Sequence, residues 1–211
     1  MCWIFMSERG WSSMWALHAR YRGRDTRRAE LVRRFAEALS TLEGAGEFEL
    51  LGVEDIRAHI THPATACDVV MALLAAGDWA IGIGVVPGID KPTDEDEAQI
   101  ELAKKTASEA LRPTARAGAV KVRIVGARRD DPRAFNISAS FALMAQVLSK
   151  RSFEGREATS LMRSGMNQNE AAAELGISKQ AMSQRLQAAG WQAEQAGWQL
   201  AVNLLEHSAQ P

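Results

Sequence analysis

NQNEAAAELGISKQAMSQRLQAAG, residues 167 to 190, decides how the rear of this chain is read. Asn167 followed by Glu170 forms a capping box: the Asn side chain receives an amide of the first turn, and the Glu reaches back to the cap amide. Ala171, Ala172 and Leu175 give a first helix an inner face, with a small residue where a second helix must cross closely. Gly176 ends it at the position where a left-handed backbone costs least. Ser178 caps a second helix whose inner face is Ala181, Met182 and Leu186. Only three or four residues lie between the regular parts, the spacing of a helix-turn-helix.

The outward positions of the second helix are Lys179, Gln180, Ser183, Gln184 and Gln187. A glutamine amide can pair with adenine through two hydrogen bonds, and lysine reaches guanine or phosphate. Arg185 lies on the flank, where a guanidinium meets the phosphate backbone, and the capping Ser178 is counted with these residues as DNA-binding. The chemistry expected is recognition of double-stranded DNA. The bland alternatives are a helical hairpin packed on the rest of the protein and a protein-binding adaptor. From Lys150 to Gln187 there are six cations against four carboxylates, a net of +2. A module so weakly basic needs a second copy or a second basic surface to hold DNA, so a homodimer is expected.

Working outward, the last stretch, Trp191 to His207, sets Trp191, Gln195, Trp198, Val202 and Leu205 on one stripe, read as core with a dimer interface as the sharper alternative. From Pro132 onward the pattern is helical throughout. Upstream, Met14 to Tyr21 reads as a strand. Asp25 to Leu42 reads as a helix capped by Asp25 and closed by Gly44 and Gly46. Phe48 to Leu51 and Asp55 to Ile60 read as strands around a turn at Gly52, Val53 and Glu54. Pro63 opens a helix that runs to Gly77. Trp79 to Val86 (WAIGIGVV) is a strand with Trp79, Ile81, Ile83 and Val85 on one face. Gly82 and Gly84 on the other admit a close neighbour. The acidic run Asp94 to Glu97 starts a helix to Leu111, and Val120 to Val125 is the last strand. The order predicts an α+β front, an antiparallel or mixed sheet with helices on one face over residues 14 to 130, and an all-helical module over residues 131 to 211. Residues 1 to 13 are expected to be a disordered extension.

Composition bounds the rest. With 211 residues, 46% apolar, 24% charged and a net charge of −1, the chain can build a core and has no overall attraction to nucleic acid. Its two cysteines belong to no metal-ligand cluster; Cys67 reads as core, and a reducing cytoplasm is expected. No apolar stretch has the length to cross a bilayer. No phosphate loop, GxGxxG or GxSxG motif occurs, so no cofactor is expected. His59 and His62 stand near Glu54 and Asp55 in sequence, a spacing that permits a metal but reads first as ordinary polar turn residues. Arg20, Arg22, Arg24, Arg27, Arg28, Arg33 and Arg34 form a basic cluster. It reads either as a solvated face paired with the acidic run at 94 to 101 or as a phosphate-binding surface for DNA or a nucleotide.

The pattern from Leu175 to Leu186, then Ala189-Gly190-Trp191, Gly197 and Leu200 to Leu205, resembles an actinobacterial group of small regulator-like proteins. Its Leu175 to Ser183 core is also similar to the promoter-reading helix-turn-helix of sigma factors. The Met14 strand, the Glu54-Asp55 turn ahead of Pro63, and Gly82-Ile83-Gly84 resemble the SatD-type domain of those proteins, which looks like a shrunken nucleotidyl-cyclase or ferredoxin-like fold. The resemblance implies a regulator. A cyclase-like site would hold two metal ions on a first-strand carboxylate and a hairpin carboxylate. Here the first-strand position falls near Ala19, without an acid, while Glu54 and Asp55 remain. A dimerising or ligand-sensing front domain, with a small molecule or nucleotide as effector, is therefore expected over a nucleotide-acting enzyme.

Overall fold

The computed structural model describes residues 11–90 and 96–210. Five strands form one sheet in the order β2-β3-β1-β4-β5: β1 (Trp11–Tyr21), β2 (Glu49–Leu51), β3 (Asp55–Ile60), β4 (Trp79–Asp90) and β5 (Val120–Ile124). The first four pair antiparallel, and β5 runs parallel to β4. The fold class is thus the α+β arrangement expected, with a mixed sheet. The expected extension over 1–13 divides differently: residues 1–10 lie outside the described residues, and 11–13 already belong to β1.

The alternation along β1 and β4 sorts their side chains. Trp15, Leu17, Ala19 and Tyr21, with Trp79, Ile81, Ile83 and Val85, enter the main core beneath α1 (Arg28–Leu39) and α2 (Pro63–Ala76). The ring of Trp79 meets Tyr21 edge-on at 5.5 Å and Phe35 at 5.3 Å. Burying one such aromatic side chain contributes about 2 to 3 kcal/mol. Cys67 is buried in this core, where burial pushes its thiol up.

The expectation of helices on one face needs correction. Helix α3 (Asp96–Ala110) packs on the opposite face, against β1 and β4, where Met14, Ala16, Val86, Ala103 and Ala107 form a second cluster. Gly82 and Gly84 are what admit it. A Cβ on Gly84 would stand 2.3 Å from the Ala103 carbonyl oxygen and 2.5 Å from the Ala107 nitrogen; one on Gly82 would stand 2.3 Å from the Ala107 oxygen. The close neighbour predicted for these glycines is this helix backbone. Of the acidic run, 94 and 95 lie outside the described residues, and Asp96 and Glu97 begin α3.

Helix α1 also departs from expectation. It begins at Arg28, with the Asp25 carboxylate accepting from the Arg27 amide, and ends at Ser40, whose hydroxyl donates to the Ala36 carbonyl. Gly44, with φ of 81°, turns the chain only after the helix has closed.

Five helices follow: α4 (Pro132–Ser149), α5 (Phe153–Arg163), α6 (Gln168–Glu174), α7 (Lys179–Ala188) and α8 (Trp191–Ser208). Asp131 caps α4 by accepting from the Arg133 amide, and Pro132 takes the first helical position. Ile137, Phe141, Met144 and Leu148 of α4, with Ala201, Val202 and Leu205 of α8, join the sheet's main core. Helices α5 to α7 close over a cluster of their own.

Candidate nucleic-acid interface

Local sequence builds the α6–α7 pair step by step. The Asn167 side chain accepts from the amides of Asn169 and Glu170, and the Glu170 carboxylate accepts from the Asn167 amide at 2.8 Å. Gly176 turns the chain with φ of 61°, and the Ser178 hydroxyl accepts from the Ala181 amide at 3.1 Å. Met182 is fully buried against Ala158, Ala171 and Ala172, with Leu186 beside it. The alanines leave room for the methionine, whose burial contributes about 1.5 to 3 kcal/mol. Ala181 is only half-buried.

With the inner face so fixed, Lys179, Gln180, Ser183, Gln184 and Gln187 are exposed, along with Ser178. Four of these, Gln180, Ser183, Gln184 and Gln187, follow helical spacing along one stripe. Arg185 is half-buried at the flank. It lines a recess with Lys150, Ser152 and Glu154 at the start of α5.

What anchors this unit is a set of buried charges that residue spacing does not reveal. Arg151 and Glu194 are both buried and ion-paired, and the other Glu194 oxygen receives Nε and Nη2 of Arg163 at 2.8 and 2.7 Å. Arg151 Nε also donates to the Ala189 carbonyl at 2.8 Å, in the turn between α7 and α8. Charged residues read from sequence as solvated, and nothing in the spacing of Arg151, Arg163 and Glu194 marks them as partners. On α8, Val202 and Leu205 are core as expected, Trp198 packs at its margin, and Gln195 is exposed.

The arginine cluster is largely engaged within the fold. Arg20 donates to both Asp55 oxygens, at 2.6 and 3.1 Å, and Arg28 pairs with Glu54. Arg22 donates to the carbonyls of Pro113 and Ala115, and Arg34 lies 3.9 Å from Glu30. Among the described acids of that run, Glu97 and Glu101, neither pairs with the cluster; Glu101 pairs instead with Lys104. Among the described residues, Arg24, Arg27 and Arg33 are exposed and outside any ion pair. The same pairs bear on a cyclase-like metal site. Ala19 is buried in the main core, and the Asp55 oxygens already accept from Arg20, so these residues do not fit a metal pair. His59 lies at the far end of β3 from Asp55, about 13 Å away for four extended residues. Among the described residues, no three His, Cys, Asp or Glu side chains gather as a metal site.

Behind Asp55, His18 is buried between the sheet and α3. Its Nδ1 is 2.8 Å from the Ser108 hydroxyl, and its Nε2, 3.5 Å from Asp55, has no hydrogen-bond partner. Burial holds its pKa below the ordinary histidine value, against the pull of the Asp55 carboxylate.

No family model matches this chain, and no curated protein is similar to it. Among solved structures, it is similar to a regulator of polyketide synthase expression from Bifidobacterium adolescentis. The identity is 12% over 96% of this chain and 82% of that chain, with a TM-score of 0.24. At that level neither fold nor function is carried across. No helix among the described residues is long and apolar enough to cross a membrane.

Proposed function

We propose that this protein is a DNA-binding transcriptional regulator of the cytoplasm, working as a homodimer, with α7 as its recognition helix. The observation that carries the reading is the exposed stripe on α7: Lys179, Gln180, Ser183, Gln184 and Gln187 face outward from a doubly capped helix pair whose inner face buries Ala171, Ala172, Met182 and Leu186. In the major groove those amides would read adenine, Lys179 guanine or phosphate, and Arg185 the backbone. Arg24 and Arg27, two of the three exposed arginines of the front cluster outside any ion pair among the described residues, would add phosphate contacts, while Arg20, Arg22 and Arg28 are engaged within the fold. The α+β body would dimerise and sense a small molecule or nucleotide.

The test is fluorescence anisotropy of the full chain on genomic DNA fragments across a salt series. Binding that weakens steeply with salt is expected. Gln184→Ala should cost about 1 to 3 kcal/mol and relax specificity at one base pair, while Lys179→Ala should lower affinity and, where it meets phosphate, flatten the salt slope. Circular dichroism should be unchanged in both. Wild type that binds no fragment at any salt concentration would sink the proposal.

A further inference from the structure

A recess of about 650 Å³ lies where the α+β body meets the helix-turn-helix unit. Its walls are the indoles of Trp191 and Trp198 on α8, with Met71 and Ala72 of α2 and Leu42 beyond the end of α1. Asp68 of α2 borders it, and Arg163 of α5 stands over the Trp191 ring at 6.0 Å. The volume is that of an ordinary small-molecule site, and Glu194, Gln195 and Gln199 complete a lining whose accessible surface is mainly apolar.

The polar groups are not equivalent. Arg163 has already committed Nε and one Nη to Glu194. Asp68 accepts one hydrogen bond, from the Trp198 indole nitrogen to Oδ1 at 2.7 Å, which fixes that indole's plane and leaves the second oxygen without a protein partner among the described residues. We propose that this recess binds a small aromatic cation, an arylalkylamine or amidine, with its ring against the indoles and its positive nitrogen on the Asp68 carboxylate. An aromatic ring packs on indole surface while its positive nitrogen meets Asp68, so one ligand satisfies both features of the site. Asp68 is exposed at the rim, and partial desolvation there pushes its carboxyl above the ordinary range, with the Trp198 N–H pulling the other way. A carboxylate so placed gains from an arriving positive charge.

The position gives the site a consequence. Trp191 and Arg163 belong to the ion network in which Glu194 ties α5 to α8 and, through Arg151, to the turn after α7. A ligand against them touches the attachment of the recognition helix. Binding to the recess stands independently; its effector role rests on the DNA-binding reading.

Three probes sharing one ring separate the terms: tryptamine as the cation, indole as the neutral ring and indole-3-acetate as the anion. Binding to the full chain, without DNA, is followed by saturation-transfer NMR and calorimetry. Tryptamine should bind at least about tenfold more tightly than indole, and indole-3-acetate more weakly than either. Asp68→Asn should remove the tryptamine advantage while leaving indole unchanged. Ala72→Trp, at an exposed position of the wall, should block both without altering circular dichroism. Three probes that bind equally, no binding at millimolar concentration, or an order unaffected by Asp68→Asn would each overturn the site. A DNA affinity indifferent to saturating tryptamine would overturn the effector role alone, and absence of DNA binding would leave the probe series intact.

Discussion

Gly84 shows how one missing methyl group admits an entire helix. The α3 backbone lies so close that a Cβ there would overlap the Ala103 oxygen and the Ala107 nitrogen, and backbone cannot swing aside as a side chain can. Gly84→Ala should therefore destabilise the protein by about 1 to 3 kcal/mol, read as a lower urea midpoint with an unchanged slope. Gly52→Ala is a useful contrast, because its φ of 85° carries strain while its Cβ would meet nothing. A Gly84→Ala midpoint equal to wild type would mean that α3 does not rest on the sheet as described. His18, on the same face, makes a pH-dependent contribution. Asp55, Arg20 and Arg57 surround it, and desolvation outweighs the carboxylate, so its folded pKa is below 6.5. Below pH 6.5 the unfolded chain takes up a proton that the folded one resists, and stability rises with pH through that window. Thermal midpoints should fall as pH drops below 6.5, and His18→Gln should flatten the fall. An unchanged pH profile in the variant would assign the loss elsewhere.

Elements were legible in the sequence to the extent that their signals were local. The capping box at Asn167, the turn at Gly176 and the Ser178 cap each depend on residues three or four apart, and each is in place. All five strands were recognisable, although β1 and β4 run beyond the Met14 to Tyr21 and Trp79 to Val86 read for them. The placement of α3 was not, because its buried face is made of Ala103 and Ala107, too small to announce a core; the glycines opposite said only that something came near. The Arg151–Glu194–Arg163 network was invisible for a different reason. Ion pairs separated by 31 and 43 residues have no periodicity. For the same reason the pairing of Arg20 with Asp55 and of Arg28 with Glu54 was not legible in the sequence. Local signals also have measurable worth. Ser178→Ala and Asn167→Ala should each cost about 0.5 to 2 kcal/mol. The loss should appear as faster amide exchange in α6 and α7 and leave α4 unaffected. Uniform exchange across the chain would mean that the helix pair unfolds only with the body.

At the scale of the molecule, α4 faces two ways. Its inner side enters the sheet's core, while Phe135 and Leu143 are 71% and 70% exposed on the outer side. Between Ala134 and Ser149 the helix carries no charged residue, so the outer stripe of Phe135, Ala139, Ala142, Leu143 and Gln146 has neither charge repulsion nor charge solvation. A two-fold contact sets a surface against itself, which a charge-free apolar stripe tolerates and a basic one does not. Together with a helix-turn-helix of net charge +2, which needs two half-sites for useful affinity, this makes α4, which shares the core of the α+β body, the expected dimer face. Phe135→Asp with Leu143→Asp should convert a dimer to a monomer in sedimentation equilibrium. Both positions are solvent-facing, so the thermal midpoint of the isolated protomer should hold, while DNA affinity should fall at least about tenfold as the second half-site is lost. A wild type that sediments as a monomer at micromolar concentration would refute the dimer, and a dimer that survives the double substitution would place the interface on another face.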